Sequence, residues 1–285
     1  MTRRFSSHGL SLIELLIAVA ITLVVAGAIF GLMGPAYAMF QTAVECADMQ
    51  QRLRIGIEAI SKDLMMAGMP GRTFATVLPR RQGLRSPDPP DVFFDDRISV
   101  MYVPPAAATT TLSADTASTV AVPVLPQRNC PIADPLCGFH ANQLVSVFDG
   151  TGAHDEFRII AIQDNPPMLV GSGAPLSAQY SAGAMVSEIV AVTYWLQIDQ
   201  LMRYDGSQTD SPVADGVVRL RFQYFGGSAS SLVPLDEPRF DADLLRIRLV
   251  RVTLQVRASR TFIFTRIPDL EINFDLAPRN LQPSP

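Results

Sequence analysis

Gly9-Leu10-Ser11-Leu12-Ile13-Glu14-Leu15-Leu16-Ile17-Ala18 joins two stretches of opposite character. Before it lies a polar leader, residues 1–9, with Arg3 and Arg4. After it an apolar run extends to Met33, broken by one charge, Glu14. At about 1.5 Å per residue, a helix over 10–33 crosses the roughly 30 Å hydrocarbon core of a bilayer. Basic residues ahead of the run and none close behind it predict a cytoplasmic N-terminus and an exported C-terminal region. A carboxylate inside a bilayer costs about 2.5 to 3.5 kcal/mol on insertion scales, so Glu14 marks a function and requires a partner.

Three plainer readings compete. Ala36-Tyr37-Ala38 has the form of a signal-peptidase site, but the apolar run exceeds the roughly 7 to 15 residues of an ordinary signal core. Arg3-Arg4 is followed at once by Phe5, with no further twin-arginine motif. A simple signal anchor would leave Glu14 without a purpose.

The decapeptide resembles the prepilin signature of type IV pilins and type II secretion pseudopilins. That resemblance implies cleavage by prepilin peptidase between Gly9 and Leu10, and N-methylation of Leu10. The family more often has phenylalanine or methionine at the first mature position. The resemblance also implies that Glu14 pairs with the terminal amine of a neighbouring subunit. A glycine before the scissile bond leaves the backbone open to the peptidase.

Beyond the anchor, Cys46, Met49, Leu53, Ile57, Ile60 and Leu64 recur at spacings of three and four, predicting an amphipathic helix over 34–69. Gly34-Pro35 is expected to bend or open it, and Gly68 with Pro70 to end it. Residues 70–96 read as an irregular, proline-rich connection. Residues 97–278 read as an exported β-rich domain, and 279–285 as a frayed tail.

Strands are predicted at 98–103, 119–124, 144–148, 157–162, 189–197, 201–204, 217–225, 245–256 and 262–264. Asp149-Gly150 suggests a hairpin turn. Val218, Leu220, Phe222 and Tyr224 alternate with Arg219, Arg221 and Gln223, and a parity change at 249–250 calls for a bulge or break. The Ala-, Thr- and Ser-rich stretch 106–117 reads as a surface loop. The expected fold is α+β and pilin-like: a long N-terminal transmembrane and amphipathic helix packed on a mainly antiparallel β domain.

A chain of 285 residues is long for a major pilin. Val190 to Leu196, Leu201 to Gly206, Val213 to Tyr224 and Val250 to Leu254 resemble, loosely, the C-terminal pattern of PilW-type minor pilins and J-type pseudopilins. This implies a subunit that starts filament assembly at the tip, with other pilin or pseudopilin subunits as partners. Pilus and type II secretion pseudopilus both remain open, as does a tip adhesin or DNA-uptake subunit.

Composition restricts the alternatives. A net charge of −4 gives no global basic field for nucleic acid, and Arg246, Arg248, Arg251 and Arg257 form the one candidate stripe. A mean hydropathy of +0.22 reflects the anchor. Neither a G-x-S-x-G, a P-loop nor a dinucleotide fingerprint occurs, so no enzyme, small-molecule substrate or cofactor is expected. His154 beside Asp155 and Glu156 reads as a solvated turn, and the acidic stretch Asp205 to Asp215 lacks EF-hand spacing. Cys130 and Cys137 bracket a proline-bearing loop on the exported side, where a disulfide is expected and a metal site is not. Cys46, on the helical stripe, is expected to be buried.

Overall fold

The computed structural model describes residues 11–68, 74–83, 87–173, 175–206, 209–228, 231–259 and 267–278. Its first element is α1 (Leu12–Met66), a 55-residue helix with Pro35 inside it. The helix is continuous through Gly34-Pro35, so no opening occurs there; proline removes one backbone donor and leaves the neighbouring helical bonds in place. The chain divides into two compact units, residues 1–50 with 258–268 and residues 51–257 with 269–285. In the first, Glu45 is buried and its carboxylate accepts the backbone N–H of Ser259 at 2.6 Å.

The second unit contains the end of α1 and, among the described residues, all the strands. After the helix, β1 (Val77–Leu78) and β2 (Arg97–Tyr102) are laid down, and the chain then leaves that sheet. It forms β3 (Thr109–Thr111), β4 (Thr116–Ala117), β5 (Ala121–Pro123), β6 (Leu144–Phe148) and β7 (His154–Asp164). It continues as β8 (Pro167–Ser172), β9 (Gln179–Tyr180) and β10 (Met185–Glu188) before returning as β11 (Val190–Gln197), which pairs antiparallel with β2. The hairpin β2–β11 thus has a subdomain inserted in it. Next come β12 (Gln200–Tyr204), β13 (Asp210–Asp215), β14 (Val217–Ser228), β15 (Ser231–Leu235), α2 (Asp241–Leu244), β16 (Leu249–Val256) and β17 (Leu270–Leu276).

The sheets are β1-β2-β11-β12-β13, β3-β10-β6-β7-β8-β5, β15-β14-β16-β17 and the short β4-β9. All named strand pairs are antiparallel. This is the α+β fold of a long apolar helix followed by an antiparallel β region.

The inserted six-stranded sheet closes on itself. Leu112 bridges Val124, Leu125 N–H donates to Thr111 C=O, and Ser113 N–H donates to Pro123 C=O, joining its first strand to its last. The resulting barrel is filled by Leu112, Val122, Val145, Val147, Phe157, Ile159, Leu169, Tyr180 and Val186. Residues 106–117 are therefore no surface loop: Ala108, Leu112 and Thr116 are buried along the closing seam. Arg158 ties the barrel to the five-stranded sheet, its guanidinium donating to Asn142 C=O and, at 2.9 Å, to Gly206 C=O.

Other expectations shift in detail. Within 70–96, Phe74, Ala75, Val77 and Leu78 are buried, and β1 pairs with β2. A bulge between Val217 and Arg219 brings Val217, not Val218, fully inward. The parity change at 249–250 is a break, since β16 starts at Leu249 after the short α2. The expected strand at 262–264 and the stop at Pro70 lie outside the described residues.

Candidate assembly and anchoring site

Ser11 stands at the N-cap of α1 and Glu14 three residues on, the spacing of a capping box. The Ser11 N–H donates to Glu14 Oε2 at 3.0 Å, and Ser11 C=O accepts the Leu15 N–H at 3.2 Å. Helix N-termini expose unpaired N–H groups and partial positive charge, so a carboxylate in the first turn is stabilised there. Within one chain Glu14 thus already has a partner. The Ser11-x-x-Glu14 spacing encodes this local partner, beside the intermolecular one that the resemblance implies. Gly9 and Leu10 lie outside the described residues.

From Leu12 to Met33 the large apolar side chains, Leu15, Leu16, Ile17, Leu23, Val24 and Phe30 among them, are exposed. A helix apolar on every side suits a membrane interior. It is long and apolar enough to cross one. Thr22 satisfies its hydroxyl by donating to Ala18 C=O at 2.7 Å, so its polarity adds no unpaired group.

At the other end of α1 the helix is fixed by a buried carboxylate. Asp63, 3% exposed, accepts Tyr194 Oη–H at 2.6 Å, Arg203 Nε–H at 2.9 Å and Tyr102 Oη–H at 3.3 Å. Burial, then the Asp63 charge, push the Tyr102 hydroxyl up to about 12. The same two causes raise Tyr194. For Arg203, burial works to lower the guanidinium, and the hydrogen bond and charge of Asp63 outweigh it and raise it. Every donor is held in the form that binds Asp63. This is an ion pair with two hydroxyl supports, and it joins α1 to β2, β11 and β12.

Within the second unit the buried face of α1 is Leu53, Gly56, Ile60, Asp63 and Leu64. Cys46, expected inside, is only half-buried, and Ile57 likewise. Gly56 takes the central place: a Cβ there would lie 2.8 Å from Leu254 Cδ2 and 3.3 Å from Leu201 Cδ2. Neither the glycine nor the aspartate belongs to the apolar periodicity that marks this face in the sequence.

Cys130 and Cys137 are joined in a disulfide with Cα atoms 5.6 Å apart. His154 is no solvated turn residue: it opens β7 and stacks on Phe74 with ring centroids 3.9 Å apart. Its neighbour Asp155 accepts four hydrogen bonds, from Ser177 N–H and Oγ–H, Ala178 N–H and Tyr180 Oη–H. Of the arginine stripe, Arg246 pairs with Asp243, Arg251 with Asp275 and Arg257 with Asp269, while Arg248 donates to Leu245 and Ile247 carbonyls. Three of the four stripe arginines thus face carboxylates. Most of the Asp205 to Asp215 stretch is strand β13, and among the described residues no cluster of His, Cys, Asp or Glu is arranged to hold a metal.

Residues 4–30 match the family model described as the prokaryotic N-terminal methylation motif. The chain carries a prepilin-type N-terminus. The match ends inside α1, includes Gly9, Leu10 and Glu14, and supports a type IV pilin-like precursor anchored in a membrane. No curated protein matches the chain.

Proposed function

We propose that this chain is a minor pilin of the PilW type, cleaved after Gly9 and methylated on Leu10 by prepilin peptidase, that helps to start a type IV pilus at its tip. The observation carrying this reading is the methylation motif at 4–30 overlapping a helix whose far end is fixed in an antiparallel β unit. Glu14 is the assembly residue. Alone, it caps its own helix; in a filament it exchanges that weak local bond for the terminal amine of a neighbouring subunit, a charge-assisted pair of greater strength in a low dielectric.

The exported β region places Cys130–Cys137 where disulfides persist, and Arg3 and Arg4 favour a cytoplasmic leader. The role is structural, with other pilin subunits as partners, rather than enzymatic. The barrel inserted between β2 and β11 supports a specialised subunit over a major one. A J-type pseudopilin of type II secretion is the runner-up. Deleting the gene separates the two: loss of surface filaments supports the pilin, and loss of exported proteins with filaments intact supports the pseudopilin. Glu14→Ala tests the assembly role. It is expected to lose its leader normally and to be depleted at least about tenfold from sheared filaments; normal incorporation would refute the pairing.

A further inference from the structure

The free edges of the β sheets are not treated alike. The barrel has closed its edges. β13 and β15, outermost in their sheets, each carry a proline, Pro212 and Pro234, which cannot donate to an added strand. β17 is outermost in the four-stranded sheet and has neither proline nor basic residue in Leu270-Glu271-Ile272-Asn273-Phe274-Asp275-Leu276. It pairs with β16 over all seven residues without a register shift, and among the described residues nothing bonds its outer edge. In antiparallel geometry alternate residues of such a strand direct N–H and C=O outward. Long, flat, unprotected edges of this kind invite strand addition, and proteins ordinarily block them.

Both faces of the strand say what would be added. Leu270, Ile272, Phe274 and Leu276 stand opposite the fully buried Val256, Leu254, Val252 and Val250, yet remain partly exposed, Ile272 at 36%. On the other face Glu271 and Asp275 have side chains 40% exposed, each with an arginine on its inner side, Arg219 at 3.6 Å and Arg251 at 2.7 Å. A carboxylate accepts several hydrogen bonds, so each retains capacity toward the open edge. A second copy of β17 would set acid against acid, which disfavours self-pairing.

We infer that β17 is a docking edge for an extended segment of a partner protein in which apolar residues alternate with arginine or lysine. The segment adds as a fifth strand, continues the buried apolar row and places its cations against Glu271 and Asp275. This edge does not depend on how the N-terminus is processed.

The test uses the full chain in detergent and two labelled eight-residue peptides, one alternating arginine with valine and one alternating glutamate with valine, read by fluorescence anisotropy. The arginine peptide is expected to bind about tenfold more tightly, a preference that summed cross-strand pairs supply, and to protect 270–276 from amide hydrogen exchange. E271K/D275K is expected to reverse the preference; the single E271K, expected to abolish it, serves if the double variant fails to fold. Equal binding, no binding, protection elsewhere, or a preference unmoved by charge reversal would overturn the proposal.

Discussion

Tyr194 Oη lies 2.6 Å from Asp63 Oδ2, and this bond joins residues 131 positions apart in the chain. It makes one carboxylate responsible for holding the end of α1 against the centre of the five-stranded sheet. Asp63→Ala would take their acceptor from Arg203 and Tyr102 and leave Tyr194 with Ala59 C=O. Removing one member of a buried pair costs about 3 to 5 kcal/mol. A thermal melt of the detergent-solubilised protein should show that loss, whereas Arg54→Ala, which breaks the exposed and solvent-screened Arg54–Glu58 pair, should leave the melt almost unchanged. Equal effects would show that Asp63 is not the anchor.

Gly56 offers a steric check of the same packing. Its virtual Cβ meets the ends of two leucine side chains that can turn aside, so Gly56→Ala should be close to neutral, the crowding offset by the roughly 1 kcal/mol of helix propensity gained. Gly56→Leu cannot be accommodated in this way and should cost about 1 to 3 kcal/mol by the same melt.

Asp155 makes the barrel sensitive to acid. Burial acts to raise its carboxyl, but the hydrogen bonds of Ser177, Ala178 and Tyr180 outweigh it and hold the group below the ordinary carboxylate value. The folded pKa is depressed. Its contribution is therefore present above the unfolded value, about 3.9, and is lost as pH falls through the folded value. Asp155→Asn should flatten the acid limb of a stability-versus-pH curve below about pH 4. An unchanged acid limb would mean the carboxylate contributes nothing to folding.

Reduction should weaken the same subdomain. Cys130 and Cys137 are seven residues apart, and closing so short a loop restrains the unfolded chain by about 2.5 kcal/mol. Replacing both by serine should lower barrel stability by about that amount, read as faster amide exchange in β5 to β8. Exchange in β14 and β16 should change far less.

Periodicity carries the helix and most of the long strands because each buries one face along its own length: β6 at 144–148 and β14 from Val217 read directly. Relations between distant segments do not have such a signature. The β2–β11 pairing spans an inserted barrel, and the barrel closes through a two-residue bridge in an Ala- and Thr-rich stretch. The β11–β12 turn is a two-residue loop with positive φ at both Ile198 and Asp199. Asparagine and glycine normally announce such a turn, and Ile198, 90% exposed, does not. Strand β17 carries the same alternation, Leu270, Ile272, Phe274 and Leu276 against Glu271, Asn273 and Asp275, but Asn273 and Asp275 have low strand propensity and weaken its signal. At the N-terminus the reverse holds: the motif at 4–30 is legible in the sequence alone.

The most direct test of the account is the intact mass and N-terminal peptide of the protein extracted from membranes of cells that carry prepilin peptidase. The expected chain begins at Leu10 and has one methyl group on its amine. A chain beginning at Met39, or one retaining Met1, would contradict it.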